Sequence, residues 1–166
     1  MFQLPPIPSW DALHPLVVHF PIALLLVTPL FVLMGVLCSP PNRRSYLVAA
    51  LVLMLLGTVS VFVAVETGET AGKFAPATPE VRYVLEQHED LAEIVEVSFS
   101  VLTVIFAAIL FAPKLLHWDI SRPWFTALLL LFLVLYGAAC VVLANTSHAG
   151  GRLVHELGVR SKVVRY

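Results

Sequence analysis

Charge and cysteine are both scarce in this sequence of 166 residues. Only 13% of the residues are charged, about half the share found in soluble domains, and the net charge of −1 creates no basic field that would attract nucleic acid. The two cysteines, Cys38 and Cys140, form neither a CxxC nor a CxxCH motif. This argues against a zinc ribbon, a thioredoxin-like site and covalently attached c-type haem. The sequence also contains no phosphate loop, dinucleotide fingerprint or nucleophile–base constellation.

Hydrophobic residues dominate the chain instead, making up 59% of it at a mean hydropathy of +0.90. A helix that crosses the hydrocarbon core of a bilayer needs roughly 20 apolar residues. Four runs reach about that length, at approximately 16–38, 46–66, 88–112 and 123–147. Because the connections between them are short, we expect one domain over residues 1–166, an all-α membrane protein with an up-down-up-down four-helix transmembrane bundle.

Turn-forming residues predict where these helices begin and end. Thr78 and Pro79 suit the N-cap and first turn of the third helix. Pro113 is expected to stop that helix, and Gly150–Gly151 to loosen the end of the fourth. No internal repeat is visible in the sequence.

The basic residues of the short loops predict the orientation in the membrane. No Lys or Arg precedes the first span, whereas Arg43, Arg44, Lys114 and Arg122 lie in the two short loops. The positive-inside rule therefore places both loops in the cytoplasm and both termini outside. The C-terminal tail, with four basic residues counting Arg152, opposes this assignment, but early, short loops carry more weight in the rule.

Histidines cluster at the helix ends that an up-down bundle brings to one side. They open the first span, precede the apolar part of the third and close the fourth: His14, His19, His88, His148 and His155. His117 alone falls on the opposite side. Imidazole is the commonest metal ligand, and ionisable groups at membrane depth are functional candidates by default. We therefore predict a shared ligand site on the outer side.

Small residues recur at helical spacing next to these histidines. One stripe lies on the second span and one on the fourth: Gly57, Ser60, Ala64 and Gly68, then Gly137, Val141 and Ala144 leading to His148. They would leave room for a flat macrocycle, or they simply allow membrane helices to pack closely. His88 extends an apolar stripe of the third helix. His14 is the weakest candidate, because a residue before proline resists the α conformation.

Several motifs resemble those of a bacterial four-span membrane family of unknown function. They are HPLVVHFP at 14–21, the TG and AG pairs at 67–68 and 71–72, HE at 88–89, and HAGGRLVH at 148–155. The resemblance covers nearly the whole chain and implies a four-helix domain of the bacterial inner membrane with these histidines as its signature. Such domains are sometimes joined to c-type cytochrome modules, which fits a redox role. Ser147 stands where the family's closing GHxGG has glycine.

The first functional hypothesis is an electron-transfer subunit that binds one or two haem b groups. His14, His19, His88, His148 and His155 are the candidate cofactor-binding residues, with His19, His88, His148 and His155 as metal ligands and Arg152 as a partner for a haem propionate. Such a subunit links a membrane quinone to an outer-side cytochrome and is an electron carrier rather than a stand-alone enzyme.

Two alternatives stay open. One is a non-haem iron or zinc module that combines the histidines with Glu66, Glu89 or Glu93. The other is a structural subunit of a larger membrane complex or homo-oligomer, in which the histidines serve only as hydrogen-bonding groups.

Overall fold

The computed structural model describes residues 8–160. It contains helices α1 (Trp10–Val17), α2 (His19–Leu37), α3 (Asn42–Gly72), α4 (Pro79–Leu115) and α5 (Arg122–His155). No strand occurs in this part of the chain. The α1–α2 stretch and each of the three other helices are long and apolar enough to cross a membrane. The prediction of an all-α membrane protein with four spans is therefore confirmed.

The four spans form a closed ring in which neighbouring spans are antiparallel. α2 packs on α3 and α4 on α5, which gives two hairpins, and contacts of α3 with α4 and of α2 with α5 join the hairpins side by side. Phe99, Phe106, Phe132 and Tyr136 stack in the centre. Large apolar side chains also cover the outer faces of every helix, as expected for helices that contact lipid.

Prolines shape the first span. The helix is interrupted at Val18, because Pro21 has no N–H to donate and its ring crowds the carbonyl four residues earlier. Pro29 lies inside α2 and for the same reason leaves the carbonyl of Leu25 without its helical donor. The hydroxyl of the buried Tyr136 donates to that carbonyl oxygen at 3.0 Å, so the gap is filled by a side chain from α5.

The predicted start of the third helix is confirmed, but its predicted end is wrong. Thr78 is the N-cap of α4, and its hydroxyl accepts the backbone N–H of Val81 at 3.3 Å. Pro113 lies inside the helix rather than ending it. A proline removes only its own N–H, so the following turn still forms, and the N–H of Leu116 donates to Ala112 O at 2.9 Å.

The expected loosening at Gly150–Gly151 is also wrong. α5 continues through both glycines to His155. The low helix propensity of glycine, about 1 kcal/mol per residue relative to alanine, is overcome because Ala149 and Leu153 on either side are buried against the bundle.

The two hairpins repeat one pattern of buried positions, so the chain does contain an internal repeat. In α2 and α4, the first helices of the two hairpins, buried residues form pairs whose members are always the same number of positions apart in the sequence. These pairs are Pro21 and Val95, Leu25 and Phe99, Thr28 and Leu102, and Val32 and Phe106. In the second helices, another constant spacing relates these: Leu47 and Leu129, Ala50 and Phe132, Met54 and Tyr136, Val61 and Leu143. The residue types differ at most of these positions, which hides the repeat in the sequence.

Candidate functional site

His14 is held against α3 by hydrogen bonds and by a close ring contact. Its Nδ1 lies 2.9 Å from Ala64 O and 3.3 Å from the hydroxyl of Thr67. The Thr67 hydroxyl donates to Val63 O at 2.8 Å. The imidazole lies directly on Gly68, where a Cβ would come within 2.9 Å of the ring atom Cε1. His14 is thus fixed on two sides and is half-buried.

His88 makes the same kind of contact with α5. Its Nδ1 lies 2.9 Å from Thr146 O, while the Thr146 hydroxyl donates to Val142 O in its own helix. The ring lies on Gly150, where a Cβ would come within 3.1 Å of Cε1. His88 is half-buried, and the inward-facing stripe predicted for it is observed, since Val95 and Phe99 on the same face are buried.

Glycine makes each of these contacts possible. In an α-helix the carbonyl of one residue accepts the N–H of the residue four positions later, and the side chain at that later position covers the preceding turn. Gly68 is four residues after Ala64, and Gly150 is four after Thr146. Without a Cβ at these positions, each carbonyl is open to a second donor, and an imidazole can reach its free lone pair.

These hydrogen bonds fix the protonation of both rings. A carbonyl oxygen only accepts, so Nδ1 carries the proton in each imidazole, and in the neutral ring Nε2 carries the lone pair that binds a metal. An N–H donated to a backbone carbonyl is the usual second contact of a metal-ligating histidine. The centroids of the His14 and His88 rings are 6.3 Å apart, with the ring planes at 82°.

The internal repeat relates the two halves of this site. His14 and His88 are as far apart in the sequence as Leu25 and Phe99 are. Likewise, Ala64 and Thr146, and also Gly68 and Gly150, have the same separation as Met54 and Tyr136. The histidines therefore occupy equivalent positions in the two halves of the chain. They meet near one end of the bundle, from spans that are diagonal to each other.

The other predicted ligands do not join this pair. His19, His148 and His155 belong to the same end of the bundle, but their side chains are exposed. Arg152 Nε donates to Glu156 Oε2 at 2.9 Å in an exposed ion pair. In residues 8–160, no group of three or more His, Cys, Asp or Glu side chains is arranged to hold a metal ion.

The two small-residue stripes have different surroundings. On α3, Gly57 abuts Leu25 of α2, and Gly68 receives the ring of His14. On α5, Gly137, Val141 and Ala144 are exposed. The fourth-span stripe therefore does not line an internal slot, and the space next to His88 comes from Gly150 instead.

Sequence reasoning missed the backbone acceptors on Ala64 and Thr146 and the hydroxyl of Thr67. A carbonyl that is open to a second donor has no signature of its own in a sequence. The sequence signal is a glycine near the end of α3 and another near the end of α5, each opposite a histidine near the start of the preceding membrane span.

A protein-family model described as "Predicted membrane protein (DUF2231)" matches residues 10–163. No curated protein and no solved structure matches the chain. The family match extends over all five helices and includes both His14 and His88. This agrees with the resemblance to a four-span membrane family of unknown function, and the chain therefore belongs to the DUF2231 family of predicted membrane proteins.

Proposed function

We propose that the protein binds one haem b with His14 and His88 as axial ligands and works as a cytochrome b-like electron-transfer subunit. The observation that carries this proposal is the pair of imidazoles, each oriented by its own backbone carbonyl, with ring centroids 6.3 Å apart. Two imidazoles this close together could share one metal ion, since bonds from imidazole nitrogen to a metal such as zinc are about 2.0–2.1 Å long.

The orientation and placement of the two histidines support this proposal. Both imidazoles donate through Nδ1, which leaves Nε2 as the metal-binding nitrogen on each ring. They come from two diagonal helices of a bundle, the arrangement in which helix bundles build cofactor sites. His14 and His88 would hold the iron, and Ala64 and Thr146 would keep the rings oriented through their carbonyls.

The number of ligands favours haem over a bare metal ion. A structural zinc site takes four protein ligands and a catalytic one takes three. Within the described part of the chain, His14 and His88 have no third metal-ligating side chain grouped with them. A porphyrin supplies the four equatorial nitrogens itself and asks the protein only for axial ligands.

Two axial histidines favour electron transfer over catalysis. When bound, haem b supplies one-electron redox chemistry. If both histidines hold the iron, the chain would contribute ligand choice, burial and control of the potential rather than a substrate site. We assign the protein to the bacterial inner membrane with the histidine end outward, between a membrane quinone and an outer-side cytochrome.

The test is the absorption spectrum of the full chain, purified in mild detergent from haem-replete cells. We expect a Soret band, sharp α and β bands after dithionite reduction, and one iron per chain by metal analysis of the same sample. His14→Gln and His88→Gln should each abolish the low-spin spectrum. The matched controls are His19→Gln, His148→Gln and His155→Gln, whose side chains are exposed, and these should keep it.

Three results would overturn the proposal. A wild-type protein without a Soret band binds no haem, and stoichiometric zinc or porphyrin-free iron in that sample would select a non-haem centre. An unchanged spectrum in the His14→Gln/His88→Gln double variant would show that other residues ligate the haem. A spectrum lost in the control variants but kept in His14→Gln would move the site to the exposed histidines.

A further inference from the structure

The two halves of the histidine site contact their histidines in the same way, except that one residue next to the Nδ1 atom differs between them. Ala64 and Thr146 both contribute only a carbonyl to the histidine, and Gly68 and Gly150 both lack a Cβ. Thr67, in contrast, corresponds to Ala149 by the spacing that relates those pairs. The first half-site therefore has a hydroxyl within 3.3 Å of the histidine nitrogen, and the second has a methyl group at the equivalent position.

We propose that Thr67 is a positioning residue that makes His14 the more strongly hydrogen-bonded, and hence the more electron-donating, of the two imidazole ligands. The proposal rests on the proposed function for its effect on a bound metal. The hydrogen-bond asymmetry itself is a property of the protein alone.

The hydrogen bonds around Thr67 show how it acts. Its hydroxyl donates within its own helix, to Val63 O at 2.8 Å or to Ala64 O at 3.0 Å, and in either case its lone pairs stay free to accept. The N–H of His14 therefore meets two acceptors, Ala64 O at 2.9 Å and Thr67 Oγ1 at 3.3 Å. The N–H of His88 is bonded to Thr146 O alone among the hydrogen bonds of the described residues.

Packing does not account for a threonine at this position. Thr67 is completely buried, and its counterpart Ala149 is 3% exposed. The second hairpin thus closes the same contact with an apolar side chain that is smaller by a hydroxyl and a methyl group. The Thr67 hydroxyl is already satisfied by the backbone of its own helix, so its contact with His14 Nδ1 is the feature that distinguishes it from Ala149.

A stronger hydrogen bond at Nδ1 makes the opposite nitrogen a better electron donor. A more basic axial ligand favours the oxidised over the reduced iron, so Thr67 should lower the midpoint potential. Through its contact with His14, Thr67 would make the two histidine ligands unequal in a site whose backbone contacts are otherwise the same.

The first experiment uses the metal-free protein, with ¹⁵N-labelled histidine, in detergent. We expect the Nδ1–H proton of His14 to resonate further downfield than that of His88 and to exchange more slowly with water. Thr67→Ala and the near-isosteric Thr67→Val should move the His14 resonance toward that of His88, and Thr67→Ser should restore it. The matched control is Ala149→Thr, which should shift the His88 resonance downfield and leave that of His14 in place.

The second experiment measures the midpoint potential of the haem-loaded variants. Thr67→Ala and Thr67→Val should raise it, Thr67→Ser should return it to the wild-type value, and Ala149→Thr should lower it. A His14 resonance and a potential that both stay unchanged in folded Thr67→Val would overturn the inference. If the wild-type protein takes up no haem, the proposed function fails, and the resonances of the metal-free protein still decide whether Thr67 acts on His14.

Discussion

Replacing Gly68 with alanine tests how His14 is held in the bundle. The added methyl group would come within 2.9 Å of Cε1 and 3.1 Å of Nδ1 of the imidazole, closer than such atoms normally approach. The ring cannot simply retreat, because its Nδ1–H is bonded to Ala64 O at 2.9 Å. Either the ring moves by several tenths of an ångström and weakens that bond, or α1 moves away from α3.

The expected loss of stability follows from three terms. Overpacking costs about 1–3 kcal/mol, and a weakened hydrogen bond adds up to about 1 kcal/mol. The higher helix propensity of alanine returns about 0.8–1.0 kcal/mol. Gly68→Ala should therefore lower the free energy of unfolding by up to roughly 3 kcal/mol. Gly150→Ala should cost less, because its Cβ would meet His88 Cε1 at 3.1 Å and Nδ1 only at 3.5 Å.

Two other glycines of α5 provide matched controls. A Cβ added at Gly137 or Gly151 would meet nothing within 4 Å. Alanine at either position should be neutral or raise the stability by up to about 1 kcal/mol, since only the helix propensity changes. The four variants should thus rank with Gly68→Ala lowest, Gly150→Ala next, and the two controls at or above the wild type.

The assay is unfolding of the full chain in mild detergent, followed by helical circular dichroism, with haem content measured on the same samples. Gly68→Ala should also bind haem less completely, because its ligand ring is displaced. If Gly68→Ala unfolds at the same midpoint as Gly137→Ala, the ring of His14 does not lie on Gly68 and the described half-site is wrong.

Two further predictions concern the hydrogen bonds made by the side chains of Tyr136 and Thr78. Tyr136→Phe removes the donor to Leu25 O and should lower the stability by about 1–3 kcal/mol, the cost of an unpaired buried carbonyl. Pro29→Ala restores an N–H to that carbonyl, so the loss in a Pro29→Ala background should be clearly smaller, and equal losses in both backgrounds would contradict the role assigned to Pro29. Thr78→Ala removes the N-cap of α4, with its bond to the N–H of Val81, and should cost about 1 kcal/mol. Thr78→Ser should cost almost nothing in the same unfolding measurement, and a loss as large as that of alanine would argue against capping.

The fold could be predicted because its signals are local and strong. Four long, mostly apolar runs predict four membrane helices, and short connections leave little freedom in how neighbouring helices pack. Thr78 acts through the next turn of its own helix, so its capping role could be read directly. At Pro113 and at Gly150–Gly151 the helices continue where local propensity predicts an end, because tertiary contacts decide whether a helix continues.

The site could be predicted only in part, because a side chain's direction depends on contacts between distant helices. By sequence His14 is the weakest candidate because a proline follows it, yet the helical conformation of α1 is compatible with that proline and brings the ring onto α3. His148 is two residues from Thr146 in sequence, but its side chain points away from the bundle. The position of a histidine near a helix end determines its side of the membrane, but only the packing between helices determines which histidines face each other.

Two pairs of equivalent residues show what each half-site requires of its helix. Ala64 and Thr146 present the same carbonyl to a histidine, so either side chain is compatible with the contact. Gly68 and Gly150 are identical, because each must leave open both a carbonyl and the space for an imidazole. Since the backbone supplies the orienting acceptors, the tautomer of both rings is set by the folded helices alone. The lone pairs that would bind a metal are therefore prepared before any ligand arrives, which lowers the cost of ordering them on binding.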